Sequence, residues 1–331
     1  MVSKEEVENS IDKGLNFLYQ NQLAWGEFKT LASFNPYFLG SYFDPSPFAT
    51  GLLLYSISDS EIKDSRVEKI KKKAVDFLLS EKEEGGVWRF WTSRNKKFII
   101  PDLDDISVIS FALKREGVEF EDNLSLIKKN RNEKNLFLTW LAREEERKKV
   151  TWWIDKIYKI YELAKRDVDG VVNANVLIYL GENDPSVCSF LNQLVKTDQP
   201  FSIHYPSKLA FFYTLAKAYK NKITCLEKSR EKIVKSVLSF FKPDGSFGNE
   251  LETALALNTL LDFSYFGKEI ERGMESLIKR QKKEGCWEKR VLFLGPFPYR
   301  YYGSEELTTG FVLEVFQKYL KLKRDGEKRN N

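Results

Sequence analysis

Six times along this chain a charge-rich amphipathic helix gives way to a loop and then to a small, apolar helix almost free of charge. The uncharged copies are SPFATGLLLYSI, DLDDISVISFAL, GVVNANVLIYLG, YPSKLAFFYTLA, NELETALALNTL and SEELTTGFVLEV. Their partners, with apolar residues spaced by three and four, run Val7 to Tyr19, Ile62 to Leu79, Trp152 to Leu163, Val187 to Val195, Leu226 to Phe240 and Ile270 to Ile278. A helix apolar around its whole circumference must be covered on every side, whereas one with a charged face can stand at the surface. Strict alternation of the two kinds predicts an all-α (α/α)6 toroid, a double ring of six inner and six outer helices. The inner helices run in one direction, so their first turns converge at one mouth.

Four outer helices end in a turn that joins glycine to an aromatic residue: QNQLAWGEF, EKEEGGVWRF, FKPDGSFGNE and RQKKEGCWEKR. Trp25, Trp88, Phe247 and Trp287 are expected to pack over these corners after a glycine-terminated helix. The stretch Asn132 to Arg143 breaks the alternation and reads as a short extended segment across the mouth. Residues 1–322 are expected to form a single domain, and 323–331, KRDGEKRNN, a disordered tail.

Composition closes off several function classes. The 331 residues are 42% hydrophobic and 31% charged, enough to bury a large core. Lys and Arg, 53 against 48 acids, are interspersed with Glu along helices, which argues against the clustered basic face that nucleic acid requires. The three cysteines have no CxxC spacing and His204 is the lone histidine, so neither a disulfide framework nor a zinc finger is expected. Together with a charged N-terminus and no apolar run of bilayer length, this points to a reducing, cytoplasmic setting.

PDLDDIS, residues 101 to 107, crowds Asp102, Asp104 and Asp105 into four positions. When the inner segments are aligned by their apolar positions, Asp104 falls level with Phe48, Val171, Pro206, Leu251 and Leu307. Asp102 falls in a more polar layer with Ser46, Asp169, His204, Asn249 and Glu305. An acid where the ring otherwise carries hydrocarbon is desolvated, and two neighbouring carboxyls add repulsion; both effects keep its proton on. The alternative is plain helix capping, which one or two of the three acids would satisfy.

DLDD at 102–105 matches the DxDD motif of class II terpene cyclases, including squalene-hopene cyclases and copalyl diphosphate synthases, and the glycine-aromatic turns resemble their QW repeats. The resemblance implies that Asp104 is the general acid that protonates a terminal alkene or epoxide, with Asp102 and Asp105 polarising and orienting it. It implies a small-molecule partner, a linear isoprenoid, expected here as a C15 or C20 prenyl diphosphate. No resident metal or cofactor is assigned; a diphosphate would bring Mg2+ with it. No DDxxD motif is present, which argues against diphosphate loss as the first step.

Around the acids, Asn175 lies one turn below Asp104 in the aligned frame, Asn173 shares its helix, and His204 is level with Asp102. Phe48, Trp88, Trp91, Trp140, Tyr205 and Tyr302, with Tyr42, Phe43, Phe297, Tyr299 and Tyr301, are candidates to face the cation. Of the cations in the loops that lead to inner helices, Arg89, Arg94, Lys96, Lys97, Arg290 and Arg300, the candidates to hold the diphosphate are Arg89 and Arg300, which have aromatic neighbours in VWRFW and PYRYY. Two other readings stay open: a toroid that binds an isoprenoid or a partner without catalysis, and an (α/α)-barrel glycosidase with paired carboxyls. Peripheral membrane contact also stays open, as does a homo-oligomer or partner that closes the cavity.

Overall fold

The computed structural model describes residues 2–58, 64–95, 99–143, 166–197, 199–295 and 300–330, with side chains as far as Arg324. The chain opens with α1 (Lys4–Asn21), whose N-terminus carries a reciprocal capping box between Ser3 and Glu6. Then follow α2 (Pro47–Ser58), α3 (Ser65–Ser80), α4 (Leu103–Arg115), the short α5 (Leu124–Lys129), α6 (Gly170–Leu180) and α7 (Pro185–Thr197). The chain continues through α8 (Lys208–Lys220), α9 (Arg230–Leu238), α10 (Glu250–Asp262), α11 (Lys268–Lys279) and α12 (Glu305–Asn330).

Helices α2, α4, α6, α8, α10 and α12 each pack on the next, and α12 returns to pack on α2. The six uncharged segments therefore close a ring, as the alternation predicts. Helices α1, α3, α7, α9 and α11 lie outside it, with buried residues confined to one stripe of each. The expected outer helix over Trp152 to Leu163 lies outside the described residues.

The corner turns fasten outer helices to one another. Gly26 follows α1 at φ 99°, and a Cβ on it would come 2.0 Å from the carbonyl oxygen of Lys73 in α3. Gly285 follows α11 at φ 92°, with the carbonyl of Lys13 in α1 at 2.3 Å from such a Cβ. Only glycine suits both the backbone conformation and the approach. The indole N–H groups of Trp88 and Trp287 both donate to the carbonyl ten residues back, Leu78 and Leu277, each at 2.7 Å. Trp25 instead stays partly exposed, with its indole on Glu27 at 2.8 Å.

Three features depart from the sequence reading. First, a four-stranded antiparallel sheet, ordered β2-β1-β4-β3, crosses the rim, built from β1 (Leu31–Ser33), β2 (Tyr42–Phe43), β3 (Phe293–Leu294) and β4 (Tyr301–Gly303). Strands this short carry no readable alternation. Second, Cys188 and Cys225 form a disulfide across α7 and the 3-10 turn at Thr224–Ser229, against the expectation of none. Packing brings the two together at a sequence separation of 37, which no local spacing motif announces. Third, α12 runs on to Asn330, where a disordered tail is expected; a packed helix extends easily through Lys, Arg and Glu, all good helix formers.

The ring axis is polar at the end away from the acids. There Lys318 bridges Asp262 (2.7 Å) and Glu314 (2.8 Å), the Tyr213 hydroxyl donates to Glu314 (2.8 Å), and the Lys217 ammonium lies over the Tyr55 ring. Burial pulls the Lys217 pKa down to about 7.

Candidate active site

At the opposite mouth, the chain reaches α4 through an extended approach. Trp140 bridges Asp102 in antiparallel fashion, the Leu103 N–H donates to the Thr139 carbonyl (2.7 Å), and Leu141 N–H donates to that of Pro101 (2.8 Å). This is the crossing expected of residues 132–143, and it pins the start of α4. Asp102 is the N-cap, its Oδ1 accepting from the Asp105 N–H at 2.8 Å. One of the three acids thus caps the helix, and the other two are turned inward and buried.

Asp104 points into a hollow lined by Phe48, Phe90, Trp140, Val172, Tyr205 and Phe293, with Asp102, Asp105, Thr139, His204, Leu294 and Gly295 completing the wall. About 40 Å3 is free for water-sized atoms, within a recess of about 410 Å3 that opens to solvent. Phe293 supplies much of the aromatic surface: its ring meets Phe48 edge-on (5.2 Å) and Phe90 edge-on (5.9 Å), and stacks on Tyr302 (5.5 Å).

Both oxygens of Asp104 are held. Asn175 Nδ2 donates to Oδ1 at 2.7 Å, and the Tyr205 hydroxyl donates to Oδ2 at 2.5 Å. Burial pushes the Asp104 pKa up to about 6; those two donors, which favour the carboxylate, oppose the rise, and Asp169 adds to it. Burial, then the charges of Asp102 and Asp104, hold Asp105 well above the ordinary carboxyl range. Asp102 is raised by burial and then by Asp104.

A cation sits beside this cluster. His204 Nε2 meets Asp167 Oδ2 at 3.1 Å, and the Trp140 indole donates to the same oxygen at 3.0 Å. Burial works against the imidazolium, but the Asp167 hydrogen bond and the charges of Asp169, Asp167 and Asp102 outweigh it and raise the His204 pKa to about 9. Asp169 is itself fixed as the N-cap of α6, accepting from the Val171 and Val172 N–H groups and from Ser202 Oγ. At neutral pH the imidazolium therefore draws on Asp102 and Asp104 and eases the loss of a proton.

The structure gathers Asp102, Asp104, Asp105, Asn175, His204, Tyr205, Phe48 and Trp140 into this one place. Others among the sequence candidates lie elsewhere. Asn173 is turned to the backbone, donating to the Phe137 carbonyl and accepting from its N–H, so with i, i+2 spacing it cannot follow Asn175 inward. Trp88 is fully buried in the corner between α3 and α4. Trp91 and Tyr302 both donate to the buried carboxylate of Asp44, at 3.1 and 2.7 Å, behind the wall. Arg89 pairs with Glu83 at 2.6 Å. Arg300 lies 3.7 Å from Asp44 and over the Phe34 and Tyr42 rings. Neither arginine lines the hollow. Lys96, Lys97, Phe297 and Tyr299 lie outside the described residues. Phe90, Phe293 and Asp167, absent from the sequence candidates, are central here. Phe90 and Asp167 sit in irregular chain, and Phe293 in a two-residue strand. Among the described residues no cluster of three His, Cys, Asp or Glu side chains is arranged for a metal, and no helix is long and apolar enough to cross a membrane.

No protein-family model and no curated protein matches the sequence. Solved structures do match in shape. The type II terpene cyclase MstE from Scytonema superposes with a TM-score of 0.69 at 15% identity, over 96% of this chain and 98% of that one. The ent-copalyl diphosphate synthase from Streptomyces platensis gives 0.59 at 15%, over 82% of this chain and 50% of the synthase. An unsaturated glucuronyl hydrolase variant from Streptococcus agalactiae gives 0.53 at 16%, over 96% and 92%. At such identities the likeness is one of fold: this chain has the α/α toroid found in class II terpene cyclases.

Proposed function

We propose that this chain is a class II terpene cyclase, in which Asp104 protonates the terminal double bond of a linear isoprenoid. The observation that carries the reading is Asp104 itself, a buried carboxyl on an aromatic wall with a hydrogen-bond donor on each oxygen. Burial lifts its pKa to about 6, so the share of molecules that carry the proton when substrate arrives grows as pH falls toward that value. Asn175, Tyr205 and the His204 imidazolium stabilise the carboxylate left behind, so the acid is stronger at transfer than burial alone would allow. The O–H bond of Asp104 breaks as a C–H bond forms at one alkene carbon, leaving a carbocation at the other. Internal double bonds then attack it in turn, and loss of a proton from carbon ends the cascade, so the product is an isomer of the substrate. Phe48, Phe90, Phe293 and Trp140 offer π density to the cation and exclude water that would quench it.

The substrate is taken to be a C15 or C20 chain, as its diphosphate or with another head group. MstE has been crystallised with geranylgeranyl dihydroxybenzoate as its substrate, a C20 chain on an aromatic acid, so the toroid does not impose a diphosphate. The free space beside Asp104 matches a few waters, so a chain of this size enters only as the hollow widens.

The test is incubation in D2O with farnesyl and geranylgeranyl diphosphates and with a geranylgeranyl hydroxybenzoate. A cyclised isomer carrying one deuterium at the initiating carbon, absent with Asp104→Asn, is expected. Tight binding of these chains without turnover would favour the non-catalytic toroid instead.

A further inference from the structure

We infer that the hairpin joining β1 to β2 docks this protein onto the surface of an anionic lipid bilayer, at the mouth that holds Asp104. From Thr30 to Phe43 the chain runs fourteen residues, TLASFNPYFLGSYF, without a charge. The turn sends three large apolar side chains into solvent: Phe34 is 67% exposed, Tyr37 83% and Leu39 69%. Phe34 and Tyr42 lie with ring centroids 6.5 Å apart, so two of the hairpin's aromatic side chains adjoin each other at the surface. Single exposed apolar residues are ordinary, but a contiguous aromatic patch marks a place that something covers.

The loop is held in this shape. Ser33 Oγ donates to the Leu39 carbonyl at 2.9 Å, Tyr37 N–H donates to Asn35 Oδ1 at 2.7 Å, and Phe38 N–H donates to the Asn35 carbonyl at 3.0 Å. Phe38, at φ 60°, turns inward and is buried while its neighbours point out. The left-handed backbone at Phe38 puts its ring into the core and leaves Tyr37 and Leu39 outside.

Charge chooses the occupant. The cations laid against the hairpin are Lys289, which donates to Ser41 Oγ at 2.9 Å, and Arg300, over the Phe34 and Tyr42 rings. Asp44, the acid that ends the uncharged run and lies 3.7 Å from Arg300, is buried. Tyr and Phe at the level of head groups, flanked by Lys and Arg, match the boundary of an anionic bilayer. The position fits too: β1 pairs with β4 and β4 with β3, whose Phe293 and Leu294 wall the hollow, and Leu294 N–H donates to the His204 carbonyl at 2.6 Å. Ile203, 55% exposed beside His204, adds an apolar side chain at the β3 end of the same rim.

The docking stands apart from the proposed chemistry, so it is tested without substrate. The full chain is sedimented with vesicles of equimolar phosphatidylcholine and phosphatidylglycerol, and with vesicles of phosphatidylcholine alone. Binding is expected to favour the anionic vesicles and to weaken with salt. Tyr37→Ser with Leu39→Ser should lower the affinity about a hundredfold, about tenfold for each apolar side chain lost. Both positions are exposed, so the melting temperature and turnover of detergent-dispersed substrate should be unchanged. Equal binding by the double variant and the parent overturns the inference. So does absence of binding by the parent; if the parent then dimerises in solution and the double variant does not, the patch is a contact between two copies of this chain.

Discussion

Replacing Asp104 by Asn should abolish cyclisation and, at the same time, make the protein more stable at alkaline pH. The carboxyl titrates at about 6 in the fold, against 3.8 for the free group, mainly through burial. That gap of about 2 pH units, at about 1.4 kcal/mol each, means that ionising Asp104 inside the ring costs about 3 kcal/mol. A carboxyl whose pKa is raised by folding stabilises the fold fully below 3.8, and that contribution is lost as pH rises through about 6. An amide never ionises, so Asp104→Asn should match the parent near pH 4 and exceed it by about 3 kcal/mol near pH 8. For a chain of this length, that is about 4 °C in melting temperature. The site accepts the change: the new amide oxygen can take the Asn175 proton, and its amino group can donate to the Tyr205 hydroxyl oxygen. Calorimetry and urea unfolding at both pH values read the stability, and product analysis reads the chemistry. An equal gain at pH 4 and pH 8, or none at either, would refute the desolvated acid; cyclised product from the variant would refute its role as proton source.

Tyr205→Phe removes a donor that favours the Asp104 carboxylate, so the acid weakens: kcat/KM should fall about 10- to 100-fold and its alkaline limb should move above about 6. A pH profile that keeps the parent's limb would count against the pairing. Cys188→Ala opens a crosslink between residues 37 apart in sequence and should cost about 4 kcal/mol of stability, with the parent falling equally under reductant; an unchanged unfolding midpoint would contradict it. Lys217→Met should stabilise the protein, more at pH 6 than at pH 9. The Lys217 pKa is depressed to about 7, so its stability contribution is present above the free lysine value and falls away as pH drops through 7. Stability curves of the two proteins across that interval check it.

What could be read from the chain alone follows from how far each signal reaches. Helix burial is periodic over ten or more residues, so the six inner helices and their closure are legible in strings such as GVVNANVLIYLG. Asp104 is legible for the same reason: within a frame where its counterparts are Phe48, Val171 and Leu307, a carboxyl is conspicuous. Asn175 follows by counting one turn down. Where the chain leaves the helices, that counting stops. VWRFW offered three candidates, Trp88, Arg89 and Trp91, and only contacts show that Trp88 fills a corner, Arg89 turns to Glu83 and Trp91 to Asp44, while Phe90, which was not among them, faces the hollow. Phe293 and Asp167 are positioned by a two-residue strand and by a hydrogen bond to a residue 37 positions away. No window on the sequence spans such pairings, and the Cys188–Cys225 bridge escaped for the same reason.

The ring explains why such an acid can persist. Six inner helices that shield one another desolvate the side chains they enclose, and each contributes its first turn to a common mouth, where N–H groups and capping acids are already required. Asp102 and Asp169 cap their helices, yet by sitting beside the axis they also set the field around Asp104 and His204. Asp105, one residue beyond Asp104, has an oxygen without any hydrogen-bond partner, an expense that a cap has no use for. A carboxyl buried in that state keeps its proton and leaves Asp102 as the acceptor of the cluster's hydrogen bonds. Capping accounts for one aspartate in DLDD; the other two are intelligible as a proton store, held by burial and released toward Tyr205, Asn175 and the imidazolium.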